Sequence, residues 1–288
     1  MKIVHNRKRS TAVFWIIFSL FFINSIYPVI FAIITGFYET NMTNKWDFIG
    51  LKNFSSLLND NQFFQSALTS VKFTLCVVIG ELFLGYLLAA LISSVKAKKK
   101  YIFILILPFL LPDIIVASIW KWILGPSNGL LNNILLNFKV IKEPVAWLTS
   151  YPTAFFWVVF ICIWKGYAFP MLLFISAIES IQRSIYEASH FDGCGKIRQI
   201  IHISLPNNRD VILSTFFLES INWFKHYTIV FLLTSGGPAK LTELVSILFY
   251  QKAFLNYDFG YASAMCFFIF VICIIFCYVY HLLDRRRN

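Results

Sequence analysis

The chain has 288 residues, of which 58% are hydrophobic and only 14% are charged. A water-soluble domain carries about 25% charged residues, so this composition excludes a soluble globular protein and indicates a chain solvated by lipid. The net charge of +11 is compatible with nucleic-acid binding. Basic residues retained on the cytoplasmic side of a membrane account for that charge equally well.

Six apolar runs follow one another along the chain and predict six transmembrane helices. They cover residues 11–35, 68–94, 101–124, 153–178, 211–233 and 263–283. The first run is longer and bulkier than the core of a secretory signal, so we expect it to be retained. Pro108 and Pro112 lie in the third run, where proline is expected to bend or break the helix.

Most lysines and arginines outside these runs lie in alternate connecting segments, and this asymmetry predicts orientation. The basic segments are the two chain ends, the segment after the second run and the segment between the fourth and fifth runs. The positive-inside rule places them in the cytoplasm. We therefore predict an all-α membrane protein. Its N-terminus (residues 1–10) and C-terminus (residues 284–288) are cytoplasmic, and residues 11–283 form six transmembrane helices. One long cytoplasmic loop, residues 179–209, lies within this domain.

The basic residues sort by membrane side and form no patch interleaved with aromatic residues. The lipid bilayer is therefore an expected partner and nucleic acid is not. Five of the six cysteines fall inside apolar runs, so we expect no disulfide framework. Cys266, Cys273 and Cys277 share a helix face, which favours packing over metal binding because zinc sites use close Cys/His pairs.

The long cytoplasmic loop contains the polar, basic stretch EASHFDGCGKIRQIIHISLP. Its glutamate-alanine-serine start is followed after three residues by a glycine, and nine residues later by I-S-L-P. This spacing resembles the signature loop of binding-protein-dependent ABC importer permeases, E-A-A, three residues, G, nine residues, I-x-L-P. Ser189 stands where the second alanine is usual. FIGLKNFSSLL and TSGGPA, near the two ends of the chain, also resemble sugar-type members of that family.

The resemblance implies the ABC importer permease fold in a bacterial inner or plasma membrane, carbohydrate as solute, and several partner proteins. The partners would be a second permease subunit, two ATP-binding subunits and an extracytoplasmic solute-binding protein. The chain contains no G-x-x-x-x-G-K-[ST] motif, so we expect it to hold no cofactor and to have no enzymatic activity, with ATP bound by the partner subunits.

In the resembling family this loop is the coupling helix that contacts the ATP-binding subunit. The residues expected to couple this chain to its ATPase are Glu187, Ala188, Ser189, Asp192 and Gly193, of which Asp192 is added here as a polar contact. Ser184 and Glu187 predict a capping box at the start of a short helix. Gly193 and Gly195 predict a sharp turn after it, and Pro206 is expected to end a second short helix.

Ionisable residues inside the apolar runs point to a solute path. A charge at bilayer depth costs several kcal/mol, so each is expected to face the bundle interior or a watery cavity. The charged residues well inside the runs are Glu81, Asp113, Lys165, Glu219 and Lys225, while Lys72 and Lys121 lie near the outer interface and can snorkel. The residues predicted to border the path are Trp164, Tyr167, Glu219, Asn222, Trp223 and Lys225. Their aromatic faces and polar tips suit carbohydrate. Lys225 departs from the resembling family, where this position is often acidic, and would tolerate an anionic sugar or phosphorylated polyol.

Two alternatives belong to other classes of protein. A secondary transporter working alone would use the intramembrane charges as a relay. An intramembrane metal enzyme would use Glu187-x-x-His190 with Asp192 and His202, but di-iron bundles need two such pairs and further glutamates. The sequence also contains no H-E-x-x-H, so no catalytic or metal site is expected.

Overall fold

The structure, a computed structural model, describes residues 2–40, 46–95, 97–150 and 152–285. Parts of the predicted cytoplasmic ends, residues 1 and 286–288, lie outside the described residues. The helices are α1 (Lys2–Thr35), α2 (Lys52–Leu58), α3 (Asn61–Ser93), α4 (Lys98–Leu105), α5 (Leu107–Leu110), α6 (Asp113–Ile123), α7 (Leu130–Asn137), α8 (Thr153–Gly166), α9 (Ala168–Ser180), α10 (Arg183–Phe191), α11 (Lys196–Gln199), α12 (Leu205–Asn207), α13 (Arg209–Lys225), α14 (Thr228–Thr234), α15 (Val245–Tyr250) and α16 (Phe259–Arg285). Two π-helical turns, Ile200–Ser204 and Gln251–Leu255, and two short strands, β1 (Tyr38–Glu39) and β2 (Asp47–Phe48), complete the elements.

Three stretches of helix among the described residues are long and apolar enough to cross a membrane. They are Phe14–Thr35, Asn61–Ser93 and Phe259–Val279. Helices α8 and α9 meet the same test together and are bent by 45° at the break between them. The described residues thus hold three to four spans by length and composition, and the six-span topology with cytoplasmic termini stays a prediction.

The third predicted run is broken, as its two prolines indicate. Helix α5 stops at Leu110, Leu111 is extended with φ −71° and ψ 135°, and Pro112 precedes the first residue of α6. The residue before a proline is pushed out of the helical region by contact with the pyrrolidine ring, so the chain must extend at Leu111.

The fifth predicted run is also broken, where we expected one continuous helix. Helix α13 ends at Lys225, His226 is extended, and α14 begins at Thr228. Neither proline nor glycine lies at this point. Instead, the backbone carbonyl of His226 accepts a hydrogen bond from the Ser246 hydroxyl at 2.9 Å. The break is therefore held by a contact distant in sequence, which a local pattern does not reveal.

The chain forms two compact units, residues 1–61 with 249–272 and residues 62–248 with 273–288. In the first unit, β1 and β2 pair antiparallel, with Tyr38 opposite Phe48. The Asn53 amide donates to the carbonyls of Gly36 at 3.0 Å and Tyr38 at 2.9 Å. These bonds fasten the end of α1 to α2.

The second unit has two apolar clusters. One joins α3, α6, α8 and α14 through residues such as Val77, Val116, Val158 and Val230. The other joins α3 to α9, with the rings of Tyr86 and Phe174 5.3 Å apart. Helix α3 belongs to both clusters, so it is the element against which the broken helices pack.

Candidate functional site

The predicted coupling loop folds as a helical hairpin, with α10 as its first arm and residues 196–207 as its second. Gly193 has φ +74° in the turn between the arms. Its N–H donates to the His190 carbonyl at 3.0 Å, and the Cys194 N–H donates to the Ser189 carbonyl at 2.9 Å. These two bonds and the left-handed glycine form a Schellman motif. Gly195 has φ −71°, so the turn requires glycine only at Gly193, and the predicted turn role of Gly195 was wrong.

The start of α10 differs from the sequence prediction. The helix begins at Arg183 with Gln182 as its N-cap, and no side chain makes a capping hydrogen bond. Ser184 therefore lies inside the first turn, and the predicted capping box with Glu187 was wrong. Gln182 is extended, with φ −58° and ψ 130°, so the helix starts two residues earlier than the S-x-x-E pattern requires.

The second arm passes through Pro206 and ends at Asn207, so the prediction that Pro206 ends it was wrong. Helix α11 continues into the π-helical turn Ile200–Ser204 and then into α12. Proline lacks an N–H and its ring clashes with the carbonyl four residues earlier. In a π-helical turn each N–H bonds instead to the carbonyl five residues earlier. The turn is therefore wider and accommodates the proline ring.

Side-chain hydrogen bonds fasten the two arms to each other. Gln199 on the second arm donates through Nε2 to the Ser189 hydroxyl at 2.8 Å and to the Tyr186 carbonyl at 3.3 Å. The Ser189 hydroxyl donates to the same carbonyl at 2.8 Å. The Tyr186 and Ser204 hydroxyls lie 2.7 Å apart. Alanine, the usual residue at position 189 in the resembling pattern, could not accept the Gln199 bond.

The predicted coupling residues lie together on this hairpin. Glu187, Ala188, Asp192 and Gly193 are exposed, and Ser189 is half-buried by the Gln199 bond. A groove of about 590 Å³ lies between the arms. Its lining residues are Arg183, Tyr186, Glu187, His190, Gly193, Cys194, Gly195, Lys196 and Gln199. Among the described residues no cluster of three or more His, Cys, Asp or Glu side chains could hold a metal ion.

Phe191, at the tip of the hairpin, is a candidate that sequence reasoning missed. Its side chain is 90% exposed, and Ile197 beside the tip is 74% exposed. A solvated loop gains nothing from an exposed aromatic ring, whereas a docking surface does. The sequence signal that could have identified it is a bulky aromatic residue immediately before Asp192 and Gly193.

Helix α13 carries an exposed face that is polar except at Leu218. Its exposed residues after the first are Asp210, Ser214, Leu218, Asn222 and Lys225. They recur every three or four positions and so lie on one face of the helix. Helix α16 differs, because Phe270, Ile274 and Ile275 are exposed on it. The face of α16 suits lipid, while the face of α13, hereafter the polar stripe, suits water.

The six predicted path residues do not share one surface. Asn222 and Lys225 lie on the polar stripe. Glu219 and Trp223 are 7% and 6% exposed on the inner side of α13. Trp164 is half-buried against the first apolar cluster. Tyr167 is buried, and its hydroxyl donates to the Leu105 carbonyl at 2.8 Å.

A buried carboxylate joins α3 to the α8–α9 break and to the last turn of α13. Glu81 is fully buried, and its Oε2 accepts the indole N–H of Trp223 at 2.9 Å. Its Oε1 lies against Gly166, where a Cβ would sit 1.5 Å from it. The Glu81 carboxylate occupies the space that a side chain at position 166 would need, so only glycine fits there.

A second set of polar contacts joins the three helix breaks. Lys165 Nζ lies 3.8 Å from Asp113 Oδ1 and donates to the Phe109 carbonyl at 2.7 Å. His226 Nε2 lies 4.0 Å from Asp113 Oδ2. Asp113 opens α6, Lys165 precedes the end of α8, and His226 lies between α13 and α14. Sequence reasoning identified the charges but neither His226 nor the pairing.

Comparison with known proteins places these features in one family. A family model described as "Binding-protein-dependent transport system inner membrane component" matches residues 81–288. The trehalose/maltose transport system permease protein MalF of Thermococcus litoralis is 31% identical over 242 residues, which cover 84% of this chain and 81% of that protein. The sulfoquinovosyl glycerol transport system permease protein SmoG of Agrobacterium fabrum is 29% identical over 268 residues, which cover 91% of this chain and 86% of that protein.

A solved structure of a bacterial ABC transporter involved in the import of the acidic polysaccharide alginate contains a chain with the same fold. It superposes with a TM-score of 0.81 at 21% identity and covers 99% of both chains. The importer-permease fold predicted from the signature loop is thereby confirmed.

Proposed function

The chain belongs to the family of inner-membrane components of binding-protein-dependent transport systems, and from this premise we propose that it is the permease subunit of an ATP-driven importer of a carbohydrate or carbohydrate derivative. The observation that carries the proposal is the similarity to the trehalose/maltose permease over most of both chains. The similarity to the sulfoquinovosyl glycerol permease supports the same class of solute.

The hairpin is proposed to receive the motion of separate ATP-binding subunits. Its arms are fastened by Gln199 and Tyr186, so a displacement of the tip moves both arms together. The second arm leads through Asn208 directly into α13. Movement at the tip would therefore reach the helix that carries the polar stripe. Since the sequence has no phosphate-binding loop, ATP hydrolysis is assigned to two partner subunits, and this chain is proposed to have no cofactor and no enzymatic activity of its own.

The polar stripe is proposed to border the solute path, opposite a second permease subunit. A polar face at membrane depth is costly against lipid and favourable beside water. The three helix breaks give the surrounding segments points at which they can rotate. A solute-binding protein outside the membrane would deliver the solute to the outer end of this path.

The proposal is tested by reconstituting the chain in proteoliposomes with its companion permease, ATP-binding subunits and binding protein. We expect uptake of carbohydrate only when ATP and the binding protein are both present. The chain inserted by itself should move no solute. Solute movement by the chain alone, driven by an ion gradient, would favour the secondary-transporter alternative and refute the assignment.

Truncating the exposed tip of the hairpin should weaken contact with the ATP-binding subunits. Burial of one phenylalanine side chain contributes about 1.5–3 kcal/mol, so Phe191→Ala should weaken that association roughly 10- to 100-fold. The measurement is the amount of ATP-binding subunit that co-purifies with the permease. Phe138→Ala is the matched control, because Phe138 is also highly exposed, at 77%, but lies in a different loop. Equal co-purification by both variants would remove Phe191 from the interface.

A further inference from the structure

We propose that the solute is an anionic carbohydrate, a sugar or polyol that carries a carboxylate, phosphate or sulfonate, and that Lys225 recognises its negative charge. This inference rests on the proposed function and narrows the class of solute. It follows from the position of Lys225 on the polar stripe and from its lack of an ionic partner.

The Lys225 side chain is exposed, and no carboxylate in the described part of the chain lies within ion-pair distance of it. Two other lysines in the predicted membrane runs are engaged. Lys165 contacts Asp113 and the Phe109 carbonyl, and Lys121 donates to the Leu232 carbonyl at 3.2 Å. The ammonium of Lys225 is therefore available to a ligand.

Lys225 lies within the fifth predicted run, residues 211–233, in its outer half. The helix rises about 1.5 Å per residue, so Lys225 lies about 24 Å from Arg209 at the cytoplasmic end. An ammonium facing lipid at that depth costs several kcal/mol. Asn222, one turn earlier, is exposed on the same face and carries an amide. We therefore infer that this face borders water. The Asn222 side chain is hydrogen-bonded to Glu219, so Lys225 is the group on this face that we expect to meet the charge of a solute.

Lys72 shows what a lipid-facing lysine looks like in this chain. It is also exposed, but the exposed residues around it on α3 are Leu68, Leu75 and Ile79. It lies eleven residues from the outer end of α3 at Asn61, so its long stem can carry the ammonium to the interface. The nearest exposed residue to Lys225 on its own helix face is the polar Asn222, and the apolar Leu218 lies a further turn away. This polar neighbour distinguishes Lys225 from the snorkelling Lys72.

The nearest acid on α13 does not neutralise Lys225. Glu219 precedes it by six residues, which turns the two side chains about 120° apart around the helix. Glu219 lies on the inner side and is 7% exposed. The outer end of the polar stripe is thus positively charged, and a charge-assisted hydrogen bond to an acid is about twice as strong as a neutral one.

The test uses the complete transporter in proteoliposomes and matched pairs of probes. Each pair compares a neutral sugar with its acidic counterpart. The pairs are galactose and galacturonic acid, cellobiose and its glucuronic-acid analogue, and glucose and glucose phosphate. We expect the wild type to take up an acidic probe faster than its neutral counterpart. Lys225→Ala should lower the ratio of acidic to neutral uptake at least tenfold, about 1.4 kcal/mol. Lys225→Arg should keep the ratio within about threefold because the charge remains, and Lys72→Ala should leave it unchanged.

Two results would overturn the inference while leaving the proposed function intact. One is wild-type uptake confined to the neutral probes. The other is an equal loss of acidic and neutral uptake in Lys225→Ala, which would mean that the lysine does not distinguish anionic from neutral solutes. Failure to take up any carbohydrate, despite ATP hydrolysis stimulated by the binding protein, would instead refute the proposed function and this inference with it.

Discussion

Replacing Gly193 with valine is expected to abolish ATP-dependent uptake while the protein still inserts into the membrane. The residue has φ +74°, a left-handed conformation that costs an ordinary L-residue about 1–2 kcal/mol and is a true outlier for a β-branched one. No atom lies within 4 Å of the position that its Cβ would take, so the effect arises from the backbone alone. The Schellman bonds would be lost, and the second arm would leave α10 in a different direction.

Gly195→Val is the matched control for this prediction. Gly195 is two residues away, also has open space around it, and has φ −71° with ψ 162°, a conformation that valine adopts readily. We expect Gly195→Val to keep most of the ATPase activity that depends on binding protein, and Gly193→Val to lose it. Both variants should reach the membrane in similar amounts by immunoblot. If Gly193→Val transported at the wild-type rate, the hairpin could not be the element that receives motion.

The outcome at the hairpin shows which features a local pattern can predict. The left-handed turn at Gly193 was predictable, because glycine after a short polar helix is a local signal. The start of α10 was not, since Ser184 matches the S-x-x-E pattern whereas the actual N-cap, Gln182, makes no capping hydrogen bond that a sequence pattern could indicate. The bond between Gln199 and Ser189 connects residues whose proximity depends on how the whole hairpin closes, so the sequence revealed only that Ser189 was unusual.

The same distinction holds for the breaks in the membrane helices. Pro112 breaks the third run through its own ring, and the sequence was sufficient to predict that break. His226 is held extended by Ser246 and lies beside Asp113, and these contacts exist only in the folded chain. The partners Glu81 and Trp223 are likewise separated by 142 positions. Charged residues inside apolar runs could be identified from the sequence, but their pairing required the structure.

Replacing Gly166 with alanine should prevent the permease from reaching a stable fold. The new Cβ would lie 1.5 Å from Glu81 Oε1 and 3.0 Å from the Trp223 ring. The carboxylate is fully buried, so any shift that relieves the clash weakens its bond to the indole N–H. Leaving such a buried polar group unpaired costs about 1–3 kcal/mol. We expect a large loss of monodisperse protein after detergent extraction and a lowered Tm for whatever remains.

Gly80→Ala is a matched control on the same pair of helices. Its Cβ would lie 2.3 Å from Ile163 Cδ1, which is the end of an apolar side chain that can rotate away, so its Tm should fall much less.

A double-mutant cycle with Glu81→Ala then separates the clash from a general intolerance of larger residues. Glu81→Ala alone should destabilise the protein, because it leaves the buried Trp223 N–H without its acceptor. Adding Gly166→Ala to that variant should cost little more, since the atoms that a Cβ would meet first have gone. Residues in direct contact show such non-additive effects. Additive losses in Tm would mean that Gly166 is required for the 45° bend between α8 and α9 and not for the carboxylate packed against it.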